Sequence, residues 1–314
     1  MQRIISYFRL VRWVNLLFIA LTQTLVQYTL IVPMLGRAGA VPTLHPLEFF
    51  LLVLATVLVA AGGYVINDYF DVNLDEVNKP RRIFIDRTIH RRSAMLLHQL
   101  LTGLGVVISF YVAWKAGNLK LGLVHAIVAA FLWFYSAGYK RKLLAGNVLV
   151  SFLTALVVLI VALYEGQLFR PTSELLRQAA SSVLIIVFYY FIFSFLISFA
   201  RELVKDLQDL KGDRMYGSKT IPILVGVKKT KWLVAGVLVL IVMLLGNIQW
   251  MEISGRDYVS ALTLFTTIEF PILVALYLLL KAQVPKQFAA VSEVIKIVMF
   301  MGILSMLYFY FLQH

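Results

Sequence analysis

The sequence predicts an all-α polytopic membrane protein with nine transmembrane helices, and three observations carry that prediction. Of its 314 residues 61% are hydrophobic and only 14% charged, with a mean hydropathy of +0.86, which is more apolar surface than a water-exposed fold can bury. The apolar residues gather into runs of bilayer length. Lys and Arg concentrate in alternate connections between those runs.

The runs lie near 14–34, 47–67, 94–114, 120–138, 147–164, 180–202, 231–250, 258–280 and 291–312. The first follows the basic stretch "MQRIISYFRLVRW" and continues past Leu25 with no small-residue cleavage site, so it reads as a retained helix rather than a signal peptide. The second ends at "GGYVI", where "NDYFDVNLD" begins, and the sixth ends at "RELVKDLQDLKGD". The eighth carries Glu269 near its centre with Pro271 just beyond. A carboxyl at that depth is either functional or hydrogen-bonded to another helix at a proline break, and the structural role is the expectation here. The connections on the N-terminal side hold 22 Lys and Arg residues and those on the other side six. The positive-inside rule then places the protein in the cytoplasmic membrane with its N-terminus cytoplasmic and its C-terminus outside.

The net charge of +13 therefore describes a membrane surface facing anionic lipid or an anionic substrate. No aromatic and basic single-strand platform or recognition motif accompanies it, so nucleic acid is not an expected partner. Cysteine is absent, which removes disulfides, thiolate catalysis and Cys-based metal sites.

Two acidic clusters break the apolar pattern. Asp68, Asp71 and Asp75 have the spacing D-x2-D-x3-D, and so do Asp206, Asp209 and Asp213, each cluster at the end of an even-numbered helix and hence on the same face of the membrane. Positions i, i+3 and i+7 share one stripe of an α-helix, so each cluster, if helical, aims three carboxylates in one direction. Like charges so stacked need cations. Carboxylate oxygens without Cys or His are a Mg²⁺ or Ca²⁺ donor set, and Mg²⁺ commonly adds waters and substrate phosphate oxygens. The expected arrangement is two clusters serving one anionic substrate, with the active site facing the cytoplasm. Solvated loop acids or partners for neighbouring Lys and Arg are the plainer reading, but eight of the sixteen acids fall in these two short stretches. A transporter would place such groups near the bilayer midplane instead. Asn67 either binds an ion or orients an aspartate, or is a simple helix cap.

"NDYFDVNLDEVNKP" resembles the N-D-x-x-D-x-x-x-D motif of the UbiA superfamily of intramembrane prenyltransferases, and "KDLQDLKGD" with the following "RMYGSKTIPILVG" resembles its second motif. The resemblance covers most of the chain. It implies a single transmembrane domain over 1–314, a helical bundle with a central cavity, and cytoplasmic cap loops at about 68–93 and 203–230. It also implies Mg²⁺-dependent transfer of a prenyl group from a polyisoprenyl diphosphate to a small acceptor. Asn67, Asp68, Asp71, Asp75, Asp206, Asp209 and Asp213 would hold Mg²⁺, two ions being expected, and the ions would hold the diphosphate. Aromatic faces such as Tyr64, Tyr69, Phe70 and Tyr135 are candidates to face the allylic cation.

Further matches add substrate-binding candidates. "FYSAGYKRKLLAGN" resembles the family's Y-S-x-x-[LY]-K segment, giving Tyr135 and Lys140, although Lys140 also serves as a topology-setting charge. "FRLVRWVN" resembles the first-helix R-x-x-N pattern, giving Arg12 and Asn15, the latter a substrate contact or a helix–helix hydrogen bond. Lys79, Arg81 and Arg82 follow the first motif, ahead of Arg87, Arg91 and Arg92, and would form a basic cap over the diphosphate or only set topology. The chain departs from the family here, with "RRIFIDRTIHRR" in place of R-P-[IL]-x-S-G. "RELVKDLQDLKGD" resembles the form in members that prenylate geranylgeranylglyceryl phosphate more than the form in quinone-forming members. That implies geranylgeranyl diphosphate as donor and a lipid acceptor, with an aromatic acceptor left open by the altered loop, as is a same-fold cyclase that uses no acceptor.

Overall fold

The structure, a computed structural model, describes residues 2–78, 83–139 and 144–311. A short amphipathic helix, α1 (Gln2–Leu10), buries Leu10 and exposes Ile5 and Phe8 beside Arg9, the character of a helix lying in a membrane interface. Among the described residues, nine further helices are long and apolar enough to cross a membrane: α2 (Trp13–Arg37), α3 (Pro46–Asn78), α4 (Arg91–Lys115), α5 (Leu119–Ala137), α6 (Ala145–Leu163), α7 (Glu174–Met215), α8 (Val227–Ser254), α9 (Tyr258–Lys281) and α10 (Pro285–Tyr308). The chain is an integral membrane protein. Exposed Leu100, Val107, Ile185, Met243 and Leu262 are the lipid-facing surface such helices need.

Two helices run well beyond their apolar segments. The stretches 68–78 and 203–215, expected to begin cap loops, are the last turns of α3 and α7. A hydropathy window stops where charge begins, but helix formation does not. No Pro or Gly interrupts residues 64–78, and on α7 the Lys205 Nζ lies 2.8 Å from a Glu202 oxygen at helical spacing.

α2 and α9 each widen into a π-helical stretch, Val26–Ile31 and Phe265–Glu269, just before Pro33 and Pro271. Each proline lacks an N–H for the carbonyl four residues back, at Thr29 and Thr267, and the wider turn absorbs the clash. Both threonines donate their hydroxyls to the preceding turn at 2.7 Å, Thr29 to Leu25 and Thr267 to Thr263.

The chain divides into two compact units, Met1–Lys140 with Leu156–Phe191 and Phe309–His314, and Arg141–Ala155 with Ile192–Tyr308. In the first unit α3 packs against α2, α4 and α5. Its approach to α4 depends on glycine: a Cβ at Gly105 would stand 2.9 Å from the Ala55 carbonyl oxygen, and backbone cannot step aside. Gln23 Nε2 reaches Thr56 Oγ1 at 3.1 Å, and Thr56 meets His125 Nε2 at 3.0 Å, which ties three helices by polar contacts inside the apolar bundle. At the end of α3 away from Asp68, the buried Glu165 carboxylate accepts from Thr43 N at 2.9 Å and from the Thr43 hydroxyl. Beside it, burial pushes the Tyr164 phenol up to about 12, and its hydroxyl donates to the Leu121 carbonyl at 3.1 Å.

In the second unit the core joins Ile197, Leu203 and Leu207 of α7 to Val234 and Leu238 of α8, Ile272 and Ala275 of α9, and Val291 and Ile295 of α10. At the turn between α8 and α9, Asp257 caps α9 through Ser260 N at 3.1 Å and accepts from the Ser260 hydroxyl and from Tyr308 Oη at 2.6 Å. These bonds, led by the Ser260 hydroxyl, hold its carboxyl below the usual carboxylate range. Glu269 is 4% exposed in the π stretch of α9, with its Oε1 covered and without a hydrogen-bond partner, while the nearby Gln249 amide donates to the Ala261 carbonyl at 3.0 Å.

Candidate active site

The first motif occupies the last three turns of α3. Asp68 receives a charge-assisted hydrogen bond from Arg12 Nη2 at 2.7 Å, with the two side chains 17% and 38% exposed. The Arg12 guanidinium also covers the Tyr64 ring at 4.9 Å from its centroid, and Asn15 Nδ2 reaches the Tyr64 hydroxyl at 3.3 Å. Arg12, Asn15, Tyr64 and Asp68 therefore form one cluster. Partial burial works against the Arg12 charge, but Asp68 and then Asp71 outweigh it and raise the group above its ordinary range. Arg12 sits between α1 and α2 with φ +54°, a left-handed conformation that costs a non-glycine residue roughly 1–2 kcal/mol. The salt bridge and the stacking on Tyr64 hold it there.

Asp71 is buried and Asp75 lies on the same stripe, where Asp68, Val72 and Asp75 line a small cleft with Ile83, Phe84 and Ile85. This explains the departure at "RRIFIDRTIHRR". Ile83, Ile85 and Ile89 pack on Leu10, Val65, Val72 and Ala94, so apolar side chains anchor the described part of the loop above the motif. Arg87, Arg91 and Arg92 stay exposed, with Arg91 bound to Asp86 at 2.7 Å and its guanidinium 5.8 Å from the Tyr69 ring centroid. Tyr69 and Phe70 meet edge to face at 5.4 Å, and Phe70 meets Trp133 at 5.9 Å.

The second motif occupies the end of α7. Asp206 accepts from Asn147 Nδ2 on α6 at 2.8 Å, while Glu202 and Asp213 act on it as like charges. Asp213 is buried, and Asp209 half-buried. Asn147 was not among the sequence candidates. An asparagine beginning an apolar helix was the available signal, and only the packing of α6 on α7 singles it out. Arg201, also on α7, keeps its Nε covered and without a partner.

Tyr135 is half-buried two residues from the end of α5. Lys79, Arg81, Arg82 and Lys140 lie outside the described residues.

The donor set fits Mg²⁺. Every candidate ligand is an oxygen, and the Asn67 Oδ1 atom beside Asp68 is buried with no hydrogen-bond partner. Among the described residues no three acidic or His side chains converge into a cage of their own. That suits an ion which takes one or two carboxylates and completes its shell with water and phosphate oxygens.

The chain is similar to digeranylgeranylglyceryl phosphate synthase of Methanosarcina mazei, 28% identical over 303 residues that cover 96% of each protein. It is 32% identical to the synthase of that name from Sulfurisphaera tokodaii over 196 residues, 62% of this chain and 64% of that one. A solved structure of digeranylgeranylglyceryl phosphate synthase superposes with a TM-score of 0.64 at 26% identity, covering 98% of both chains. A UbiA homologue of Archaeoglobus fulgidus solved with GPP and Mg²⁺ shares the fold, with a TM-score of 0.57 at 15% identity over 95% of this chain and 98% of that one. The profile of the UbiA prenyltransferase family matches residues 25–304, so the chain belongs to that family.

Proposed function

We propose that the protein transfers a geranylgeranyl group from geranylgeranyl diphosphate to a hydroxyl of geranylgeranylglyceryl phosphate, forming an ether lipid. The observation that carries this reading is the pair of Asp-rich helix ends with identical spacing, one with the unpartnered Asn67 oxygen, in a family of prenyltransferases. The lipid acceptor is supported by the relatives, which are digeranylgeranylglyceryl phosphate synthases, and by the "RELVKD" form of the second motif.

Asn67, Asp68, Asp71, Asp75, Asp206, Asp209 and Asp213 would hold Mg²⁺, two ions being the expectation, and the bound metal would supply Lewis-acid stabilisation of the leaving diphosphate. The chain's own part is to bind and orient. Arg12 holds Asp68 in place and adds positive charge beside it. Asn147 fixes the rotamer of Asp206. Tyr64, with Tyr69 and Tyr135, offers aromatic faces to the positive charge that develops at C1. The electron pair of the broken C1–O bond leaves with the diphosphate, the acceptor oxygen bonds to C1, and the hydroxyl proton passes to the released diphosphate. Ile83, Ile85 and Ile89 keep the described part of the loop closed over the first motif, which limits water at the cation. Lys79, Arg81, Arg82 and Lys140 are proposed as further diphosphate contacts. The Lys and Arg distribution supports a cytoplasmic N-terminus and a cytoplasmic active site in the cytoplasmic membrane.

The test is mass spectrometry of products from purified protein, geranylgeranyl diphosphate and Mg²⁺, with geranylgeranylglyceryl phosphate, dihydroxynaphthoate or 4-hydroxybenzoate as acceptor and a chelated control. A metal-dependent diether lipid is expected. An aromatic product would replace the acceptor, and a hydrocarbon made from the donor alone would turn the reading to a cyclase.

A further inference from the structure

Arg201 stands five residues before Asp206, inside α7. Its side chain is half-buried, its Nε is covered, and among the described residues no carboxylate or carbonyl meets its guanidinium. Four other described cations are ion-paired: Arg12 to Asp68, Arg91 to Asp86, Arg177 to Glu174, and Lys205, the next cation along α7, to Glu202. A guanidinium whose Nε is covered leaves that donor's hydrogen bond unmade, and its planar fork is shaped for the paired oxygens of a phosphate or carboxylate. Its open donors suit an anion.

Helix geometry says which one. At about 100° per residue, Arg201 lies roughly 80–140° around α7 from Asp206, Asp209 and Asp213, and about 7 to 18 Å further from the motif's end along the axis. It is off the carboxylate stripe that would carry metal and diphosphate. The acceptor brings a second anion, a phosphate on the same three-carbon glycerol as the reacting hydroxyl. That hydroxyl attacks C1 from the side away from the departing diphosphate, so its phosphate requires a cation of its own, apart from the metal.

We infer that Arg201 binds the phosphate of the acceptor and selects phosphorylated over unphosphorylated glyceryl ethers. This rests on the proposed function above. The test compares wild type, Arg201→Gln and Arg201→Lys with geranylgeranyl diphosphate and either geranylgeranylglyceryl phosphate or geranylgeranylglycerol. In parallel, the thermal shift each acceptor produces is measured without donor or Mg²⁺. Arg201→Gln is expected to raise KM for the phosphorylated acceptor about ten- to a hundredfold, the loss of one charged hydrogen-bonding partner, with donor KM little changed. It should also narrow the preference between the two acceptors, and Arg201→Lys should restore part of it. An unchanged acceptor KM in folded Arg201→Gln, or a rise in donor KM instead, would overturn the inference, the second by assigning Arg201 to the diphosphate. If Arg201→Gln does not fold, an unaltered acceptor preference in Arg201→Lys overturns it as well. Wild type that makes no diether yet shows an Arg201-dependent shift only with the phosphorylated acceptor would sink the proposed function and keep the anion site. No such shift in wild type would sink the site.

Discussion

The two carboxylate motifs share a spacing and differ in electrostatics. In the first, the leading Asp68 is matched by a cation, Arg12, itself held in a strained backbone conformation over Tyr64. In the second, the leading Asp206 accepts from the neutral amide of Asn147, with Glu202 and Asp213 acting as like charges and Lys205 bound to Glu202 nearby. The leading carboxylate of one motif is matched by a fixed cation and that of the other by a neutral amide. The first motif thus carries a guanidinium suited to the diphosphate itself, and the second carries a contact that orients a carboxylate without adding charge.

The largest effect should come from the carboxylates. Asp68→Ala and Asp206→Ala are each expected to lower kcat at least about a hundredfold while the protein stays folded, measured as diether formed per minute at saturating substrates. Normal Mg²⁺-dependent turnover in both variants would remove the metal role. Their partners should then separate. Asn147→Ala is expected to raise the Mg²⁺ concentration for half-maximal rate by about tenfold, with recovery in excess Mg²⁺, as loss of a ligand-orienting contact does. Arg12→Ala should leave the Mg²⁺ requirement unchanged or lower and raise donor KM about tenfold, the loss of one cationic contact. Matching Mg²⁺ profiles for the two variants would erase the contrast.

Stability should distinguish the regions too. Gly105→Ala places a methyl against the Ala55 carbonyl in the first unit and should cost about 1–3 kcal/mol by overpacking, read as a lower unfolding midpoint in detergent. The smallest effect concerns the second unit away from its motif. Asp257 is held below its unfolded value, so its contribution to stability is fully present above the ordinary carboxylate range and fades as pH falls through the folded value. Tyr308→Phe removes one of its bonds, so variant and wild type should differ slightly in thermal stability at neutral pH and converge in acid. A difference that grows in acid would contradict this.

Much of the architecture was legible in the sequence because the bilayer imposes a strong one-dimensional signal. Nine apolar runs correspond to nine helices of spanning length among the described residues, and the one-stripe arrangement that the i, i+3, i+7 spacing gives aspartates on a helix applies, because both motifs are helical. The helix ends were not legible, since hydropathy measures what lipid accepts and not where hydrogen bonding stops. Asn147 escaped because its role is defined by a residue 59 positions away. The "IFI" of the loop departs from the family pattern, and Ile83 and Ile85 pack in one cluster with Leu10 and Val72, a pairing no local pattern encodes. The unpartnered Oδ1 of Asn67 and Nε of Arg201 are properties of the packed molecule alone.

The most direct measurement is equilibrium binding of geranylgeranyl diphosphate to detergent-solubilised protein, with and without Mg²⁺, for wild type, Asp68→Ala and Asp206→Ala. The prediction is tight binding in wild type only with Mg²⁺, and loss of the metal-dependent increment in both variants. Equal Mg²⁺-dependent binding in all three proteins would contradict the assignment of the paired motifs to the metal–diphosphate site.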